Sequence, residues 1–211
     1  MQTRIVSTND PNAIPLAKEI LSRHGLVAFP TDTVYGLAAG AFSFEGISRL
    51  YQAKARSALK AIAVLIGDVD QLELLTSGLP SSARQMAVHF WPGALTLVVN
   101  KRENLPENLS SMPTVGIRMP DHAFARDLLR STGPLATSSA NISGEANALN
   151  AQQVFEQLNG RVELILDGGP VPGGIPSTVV DCTQNPPTIL RHGAISAEEI
   201  QQVLDDSQPT F

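Results

Sequence analysis

The densest concentration of chemistry-bearing side chains is basic. Between Gly46 and Gly67 there is no Asp or Glu, yet Arg49, Lys54, Arg56 and Lys60 all fall there. The chain as a whole has 15 Lys and Arg against 20 Asp and Glu, a formal net charge of −5. A basic cluster in an acidic chain is either a local anion site or a solvated helix face. Lys54-Ala55-Arg56 falls where a helical pattern is ending. Side chains two apart diverge on a helix but share a face on extended chain, so both cations can address one ligand there. The plainer reading is a pair of cations complementing a helix C-terminus. A polyphosphate would use the pair best, Arg through its bidentate fork and Lys as a point charge.

Polar residues also gather where apolar runs stop. Pro30-Thr31-Asp32-Thr33-Val34-Tyr35-Gly36 follows a buried-strand pattern. Alternate hydroxyls on extended chain share one face, and open sheets bind ligands beyond strand ends; a turn with local Thr and Asp bonds to backbone is the competing reading. Leu135-Ala136-Thr137-Ser138-Ser139-Ala140-Asn141 offers hydroxyls and an amide after a short strand. Such a loop can hold a phosphate or nucleoside, or simply cap a helix. Gly168–Gly174 leads through Ile175-Pro176-Ser177-Thr178 into another strand, as a lid over a ligand or a surface turn. Arg118 and Arg191 stand alone at strand ends.

Other chemistries lack their signatures. There is no G-x-x-x-x-G-K-[ST] and no strand-linked G-x-G-x-x-G, so neither a P-loop nor a dinucleotide fingerprint is present. No G-x-S-x-G elbow supports an α/β hydrolase. His24, His89, His122 and His192 are scattered, and Cys182 is the single cysteine, so no protein-ligated metal and no disulfide framework is expected. Cys182 follows Val179 and Val180, which suits a small buried hydrophobe. No run approaches the roughly 18 apolar residues that cross a bilayer, and the first residues lack an apolar signal core. The expectation is a cytoplasmic protein with no membrane partner.

The elements that must position these residues alternate short apolar runs with helical patterns, which predicts an α/β fold. With 211 residues, 43% of them hydrophobic and 17% charged, a single domain spanning 1–211 is expected. Strands are expected at Arg4–Ser7, Leu26–Phe29, Ile62–Ile66, Ala94–Val99, Val115–Met119, Leu135–Thr137, Val162–Leu166, Ser177–Cys182 and Thr188–Leu190. Asp10 with Pro11 can open a first helix that Gly25 ends, and Ser43 can cap one carrying Ile47, Leu50 and Tyr51. Further helical stretches are Asp68–Leu75, Ser81–His89, Asp121–Arg130 and Ala151–Leu158, and Ser196 with Glu199 forms a capping box before the last. The order is mixed, so the sheet should be open and twisted, with parallel and antiparallel pairs and helices on its faces.

Taken together, these motifs resemble the YrdC-like family of threonylcarbamoyl-AMP synthases, in its short form, from Ala28 to Ser196. The resemblance rests on Pro30–Gly36 with Leu37, Lys54-Ala55-Arg56, and Trp91-Pro92-Gly93 with Leu95-Thr96. It continues through Gly116-Ile117-Arg118-Met119-Pro120, Ser139-Ala140-Asn141, Pro176-Ser177-Thr178-Val179-Val180-Asp181, and Leu190-Arg191-His192-Gly193. Each is weak alone; in this order they are specific.

The resemblance implies a concave, positively charged cavity that joins L-threonine, bicarbonate or CO2, and ATP. Pyrophosphate leaves, and threonylcarbamoyl-adenylate serves the transferase machinery that modifies tRNA. By position, Thr33, Arg118 and Ser177 would contact threonine, with Thr137 lining it. Arg56, Lys60, Thr114, Ser139, Asn147 and Arg191 would contact ATP or the adenylate. Lys54 and Asn141 complete the Lys-x-Arg and Ser-x-Asn signatures; Lys54 and Arg56 would be catalytic and Asn141 would read the nucleotide. Mg2+ is expected to arrive with ATP, since hard cations often keep substrate and water ligands.

This sequence has Ser57 where the family often has Pro, Lys60 where larger relatives have Asn, and Leu65 where they carry a threonine-contacting His. The C-terminal domain of the long form is not expected. The alternative is a nucleotide- or double-stranded-RNA-binding paralogue, with tRNA as a partner, or one that hydrolyses or carries the adenylate. Net negative charge and 5% aromatics argue against RNA.

Overall fold

The computed structural model describes residues 2–58 and 60–205. The strands are β1 (Arg4–Ser7), β2 (Val27–Phe29), β3 (Gly36–Gly40), β4 (Ala63–Leu65), β5 (Leu95–Asn100), β6 (Thr114–Arg118), β7 (Leu135–Ser139), β8 (Leu164–Asp167), β9 (Thr178–Asp181) and β10 (Thr188–Arg191). The α-helices are α1 (Ala13–Ser22), α2 (Phe44–Ala53), α3 (Ser81–Phe90), α4 (Ala123–Thr132), α5 (Ala151–Leu158) and α6 (Ala197–Asp205). Among the described residues, the strands form one sheet in the order β1-β8-β2-β3-β7-β4-β6-β5-β9-β10. Pairing is mixed: β1/β8, β2/β8, β4/β6 and β5/β9 are parallel, while β2/β3, β3/β7, β4/β7, β5/β6 and β9/β10 are antiparallel. None of the described helices is long and apolar enough to cross a membrane.

Period-2 alternation separates the two faces of this sheet. Leu26, Ala28, Leu37, Ala39, Val64, Ile66 and Ile165 belong to a core shared with residues of α2, α3, α5 and α6. Val27, Phe29, Ala38, Leu65, Leu164 and Leu166 belong to a second core, under α1 and α4. The first helical layer runs on below β5 and β6, through Leu95, Leu97, Val99, Val115 and Ile117. The second does not, and that difference makes room for a site.

Several local expectations shift. β3 is not signalled by the sequence, because Gly36-Leu37-Ala38-Ala39-Gly40 carries none of the β-branched or aromatic residues that favour strands. It forms because it is flanked on both edges and buried on both faces, where only small side chains fit. A Cβ on Gly46 of α2 would come within 3.2 Å of the Ala39 Cβ. α1 starts at Ala13 rather than at Pro11. Pro15 has no N–H and is tolerated only in the first turn, so the helix cannot open earlier. Asp10 instead accepts from the Asn12 backbone N–H at 2.8 Å. Residues Val69–Leu74 form a 3-10 helix in place of an α-helix. The other caps follow expectation: Ser43 Oγ accepts from the Gly46 N–H at 2.9 Å, and Ser196 pairs with Glu199. Cys182 is buried, and burial pushes its thiol up to about 12.

Candidate active site

The uncovered half of the sheet is the floor of a cavity of about 560 Å3, a volume suited to a nucleotide-sized ligand. Its floor residues alternate with the core residues: Thr96 and Val98 on β5, Thr114, Gly116 and Arg118 on β6, Ala63 and Leu65 on β4, Thr137 and Ser139 on β7. Thr33, Gly36, Arg56, Asn147, Ser177 and Arg191 stand on the walls.

The inner end is built around Arg118, which is 6% exposed. It donates from Nε to the Gly93 carbonyl at 2.9 Å, from Nη1 to Thr33 Oγ1 at 3.0 Å, and from Nη2 to Asp32 Oδ1 at 2.5 Å. Burial lowers the pKa of the guanidinium, and the Asp32 carboxylate opposes that shift. Of five N–H donors on the fork, two are uncommitted in this network. Ser177 closes the opposite wall. Its Oγ lies 2.8 Å from Thr96 Oγ1, and Arg191 donates from Nη2 to its carbonyl at 2.8 Å and to its Oγ at 3.1 Å. Thr137 is turned away from this polar cluster. Its hydroxyl donates to the Leu135 carbonyl at 3.0 Å, and its methyl packs on Gly36, where a Cβ would approach to 2.8 Å. The inner end thus offers the hydroxyls of Thr33, Thr96 and Ser177, a cation, and an apolar side of Leu65 and a methyl group.

The outer part carries Arg56 and Arg191. Arg56 is tied by Nε to the Lys60 carbonyl at 3.3 Å and by Nη2 to the Ala61 carbonyl at 3.0 Å. Burial lowers the Arg191 pKa most, and the Arg118 and Arg56 charges lower it further. Three arginines therefore share one field, which an anionic ligand relieves.

The structure does not bring all the expected residues onto this surface. Thr33, Arg56, Thr114, Arg118, Thr137, Ser139, Asn147, Ser177 and Arg191 line it; Lys54, Lys60 and Asn141 do not. Lys54 and Arg56 part because Ala55 has φ +48°, so the chain between them is neither helical nor extended. Arg56 turns to the cavity. Lys54 is 1% exposed behind it, with Nζ donating to the Ser139 and Asn141 carbonyls, the latter at 2.6 Å. Asn141 Nδ2 spans the Ile142 and Glu145 carbonyls at 2.9 and 2.7 Å. Together the two signatures brace the 139–145 turn from behind. Lys60 is exposed, and its carbonyl accepts from the Tyr51 hydroxyl as well as from Arg56.

Asp32 and Thr96 join the site without being expected there from the sequence. Thr96 was legible in principle, since it alternates with Leu95 and Leu97 on an expected strand; the pairing of Asp32 with Arg118 across the sheet left no local signal. Among the described residues no group of three or more His, Cys, Asp or Glu could hold a metal ion.

A family model described as telomere recombination, Sua5/YciO/YrdC, matches residues 19–193. The chain belongs to the Sua5/YciO/YrdC family. It is 42% identical over 202 residues to the threonylcarbamoyl-AMP synthase of Bacillus subtilis, covering 94% of this chain and 58% of that protein. It is 43% identical over 180 residues to a putative threonylcarbamoyl-AMP synthase of Mycobacterium tuberculosis, covering 85% of this chain and 83% of the relative. Among solved structures, that of Pyrococcus abyssi Sua5 complexed with L-threonine superposes with a TM-score of 0.87 at 41% identity, over 90% of this chain and 57% of that one. Escherichia coli YciO matches with a TM-score of 0.82 at 24% identity over 94% of this chain and 98% of the other, and shows the fold alone. The chain spans about 58% of the length of the Bacillus relative.

Burial pushes the Lys54 ammonium down from 10.5 to about 8, and the Arg56 charge acts in the same direction. The unfolded chain therefore binds one more proton than the folded chain between these values, and stability contributed by Lys54 rises with pH across that window. Wild type is expected to gain stability relative to Lys54→Met from pH 8 to 10.5, read as the difference in denaturant midpoints. A difference that stays flat would show an unshifted ammonium.

Proposed function

We propose that this chain is an L-threonylcarbamoyladenylate synthase, condensing L-threonine, bicarbonate or CO2, and ATP with release of pyrophosphate. The observation that carries the reading is the polarity of the cavity: a buried arginine with hydroxyls at one end, two further arginines at the other. Relatives at 42 and 43% identity bear the synthase name, and one at 41% is known with L-threonine bound.

In this reading the threonine carboxylate takes the uncommitted N–H groups of Arg118, while Thr33 and Ser177 read the amino-acid part. Its methyl faces Leu65 and the Thr137 methyl. The amine captures CO2 as a carbamate, and a carbamate oxygen attacks the α-phosphorus of ATP. The new P–O bond forms as the bond to pyrophosphate breaks. Arg56 and Arg191 bind phosphates and stabilise the charge that develops on them, which is the larger part of what such a transfer needs. Lys54 acts through the turn that carries Ser139. Ser139, Thr114 and Asn147 border the nucleotide, and Lys60 adds charge outside the cavity. The described residues do not form a Mg2+ cage, so Mg2+ would ride on the triphosphate with its own waters. The adenylate would then pass to the threonylcarbamoyl transferase machinery acting on tRNA, in the cytoplasm.

Pyrophosphate release by the purified chain is expected to require both L-threonine and bicarbonate, and to be weaker with serine. Release without threonine, or none, would favour a nucleotide-binding paralogue. Arg56→Ala removes one charge-assisted phosphate bond, a loss of about 1.5–3 kcal/mol, or roughly 10- to 150-fold in activity, with folding intact. Wild-type turnover in that variant would remove Arg56 from the phosphate site. Leu65→His restores the side chain of larger relatives and is expected to lower the threonine KM; an unchanged value would show that the apolar wall serves equally well.

A further inference from the structure

The Gly168–Gly174 loop does not line the cavity, but at Gly173 it touches the backbone of the cavity-lining Thr33. A Cβ on Gly173 would lie 1.2 Å from the Thr33 carbonyl oxygen and 2.4 Å from its carbon. The glycine is not there for a left-handed backbone, since only Gly169 and Gly174 of this loop have positive φ. It is there because two stretches of main chain touch. The loop is also tied down behind the contact. The Tyr35 hydroxyl donates to the Gly169 carbonyl at 2.8 Å and accepts from the Gly168 N–H at 3.2 Å. The buried Val171 donates its N–H to the Leu149 carbonyl at 2.9 Å. Tyr35 and Thr33 lie on one short segment, so that segment grips the loop at both ends. The opposite wall repeats the arrangement: a Cβ on Gly193 would come within 2.4 Å of the Ser177 carbonyl carbon.

We propose that Gly173 is a positioning residue for amino-acid recognition, through which the Gly168–Gly174 loop serves as a fixed wall holding Thr33 against Arg118. Thr33 Oγ1 accepts from Arg118 Nη1 at 3.0 Å and lies 3.2 Å from Thr31 Oγ1, so its hydroxyl is oriented from two sides once its backbone is set. A side chain at 173 must push either the loop or Thr33 away, and a displacement of about 1 Å at a recognition site can cost up to about 100-fold.

The inference rests on the proposed amino-acid reading of the inner end. The test is steady-state kinetics of Gly173→Ala on the whole chain, with L-threonine and ATP varied separately. The threonine KM is expected to rise by about 10- to 100-fold, with the ATP KM, kcat at saturating threonine and Tm near wild type. An unchanged threonine KM, or equal rises in both KM values with a fallen Tm, would overturn it. Gly78→Ala, where a Cβ meets nothing within 4 Å, is the neutral control. Should Gly173→Ala fail to fold, Tyr35→Phe keeps the packing but frees the base of the loop. A selective rise in threonine KM there supports the proposal, and its absence overturns it. Wild type with no threonine-dependent turnover defeats both readings. A wild type that turns over, with Gly173→Ala unaffected, defeats only this one.

Discussion

One face of the sheet is only half covered, and the site follows from that. Over β8, β2 and β3 the side chains of this face are buried beneath α1 and α4. Among the described residues that second core does not extend over β6, β5 and β9, while Leu95, Leu97, Val115 and Ile117 on the other face pack into the main core. Each of these strands has a neighbouring strand on both edges, so the open face can carry small and polar side chains while the ladders take up main-chain hydrogen bonds. Rigid strands then hold the cavity floor, and the less regular segments around residues 33, 56, 147 and 177 supply the walls.

Burying Arg118 within this floor would be costly without partners, because a desolvated cation is among the least favourable groups in a protein interior. Asp32 and Thr33 on one segment and Gly93 on another supply those partners. The ion pair fixes the orientation of the fork while leaving donors free, so an incoming carboxylate meets a preset geometry. Arg56 and Arg191 are treated differently. Each is anchored through backbone carbonyls rather than a carboxylate, so neither has its charge neutralised by a bonded acid in this network. That asymmetry gives the cavity one compensated cation deep inside and two uncompensated ones farther out, matching a small zwitterion or carboxylate within and a polyphosphate outside.

Lys54 shows why a motif and a site surface are different things. Its charge is spent on the Ser139 and Asn141 carbonyls behind the cavity wall, where it closes a turn that β7 leaves open at its end. The Lys-x-Arg and Ser-x-Asn signatures are thus two halves of one brace, joined across 85 residues of sequence. Arg56 owes its position to that brace as much as to α2, since the left-handed Ala55 between them turns the chain.

The amino-acid sequence by itself determined the α/β class, most strands, the Ser43 and Ser196 caps and the identities of the cavity-lining cations. These are local properties: hydrophobic period, capping chemistry and residue type are written within a few positions. It also held the alternation of Thr114, Gly116 and Arg118 with Val115 and Ile117, which separates cavity from core. Only the tertiary structure decided that Gly36–Gly40 is a strand, because its small residues are favoured solely by neighbours on every side. It likewise decided that Asp32 meets Arg118, that Lys54 stands behind Arg56, and that Gly173 rests on Thr33. Each of these contacts joins segments far apart in the chain, and their free energy exists only once the sheet has brought them together.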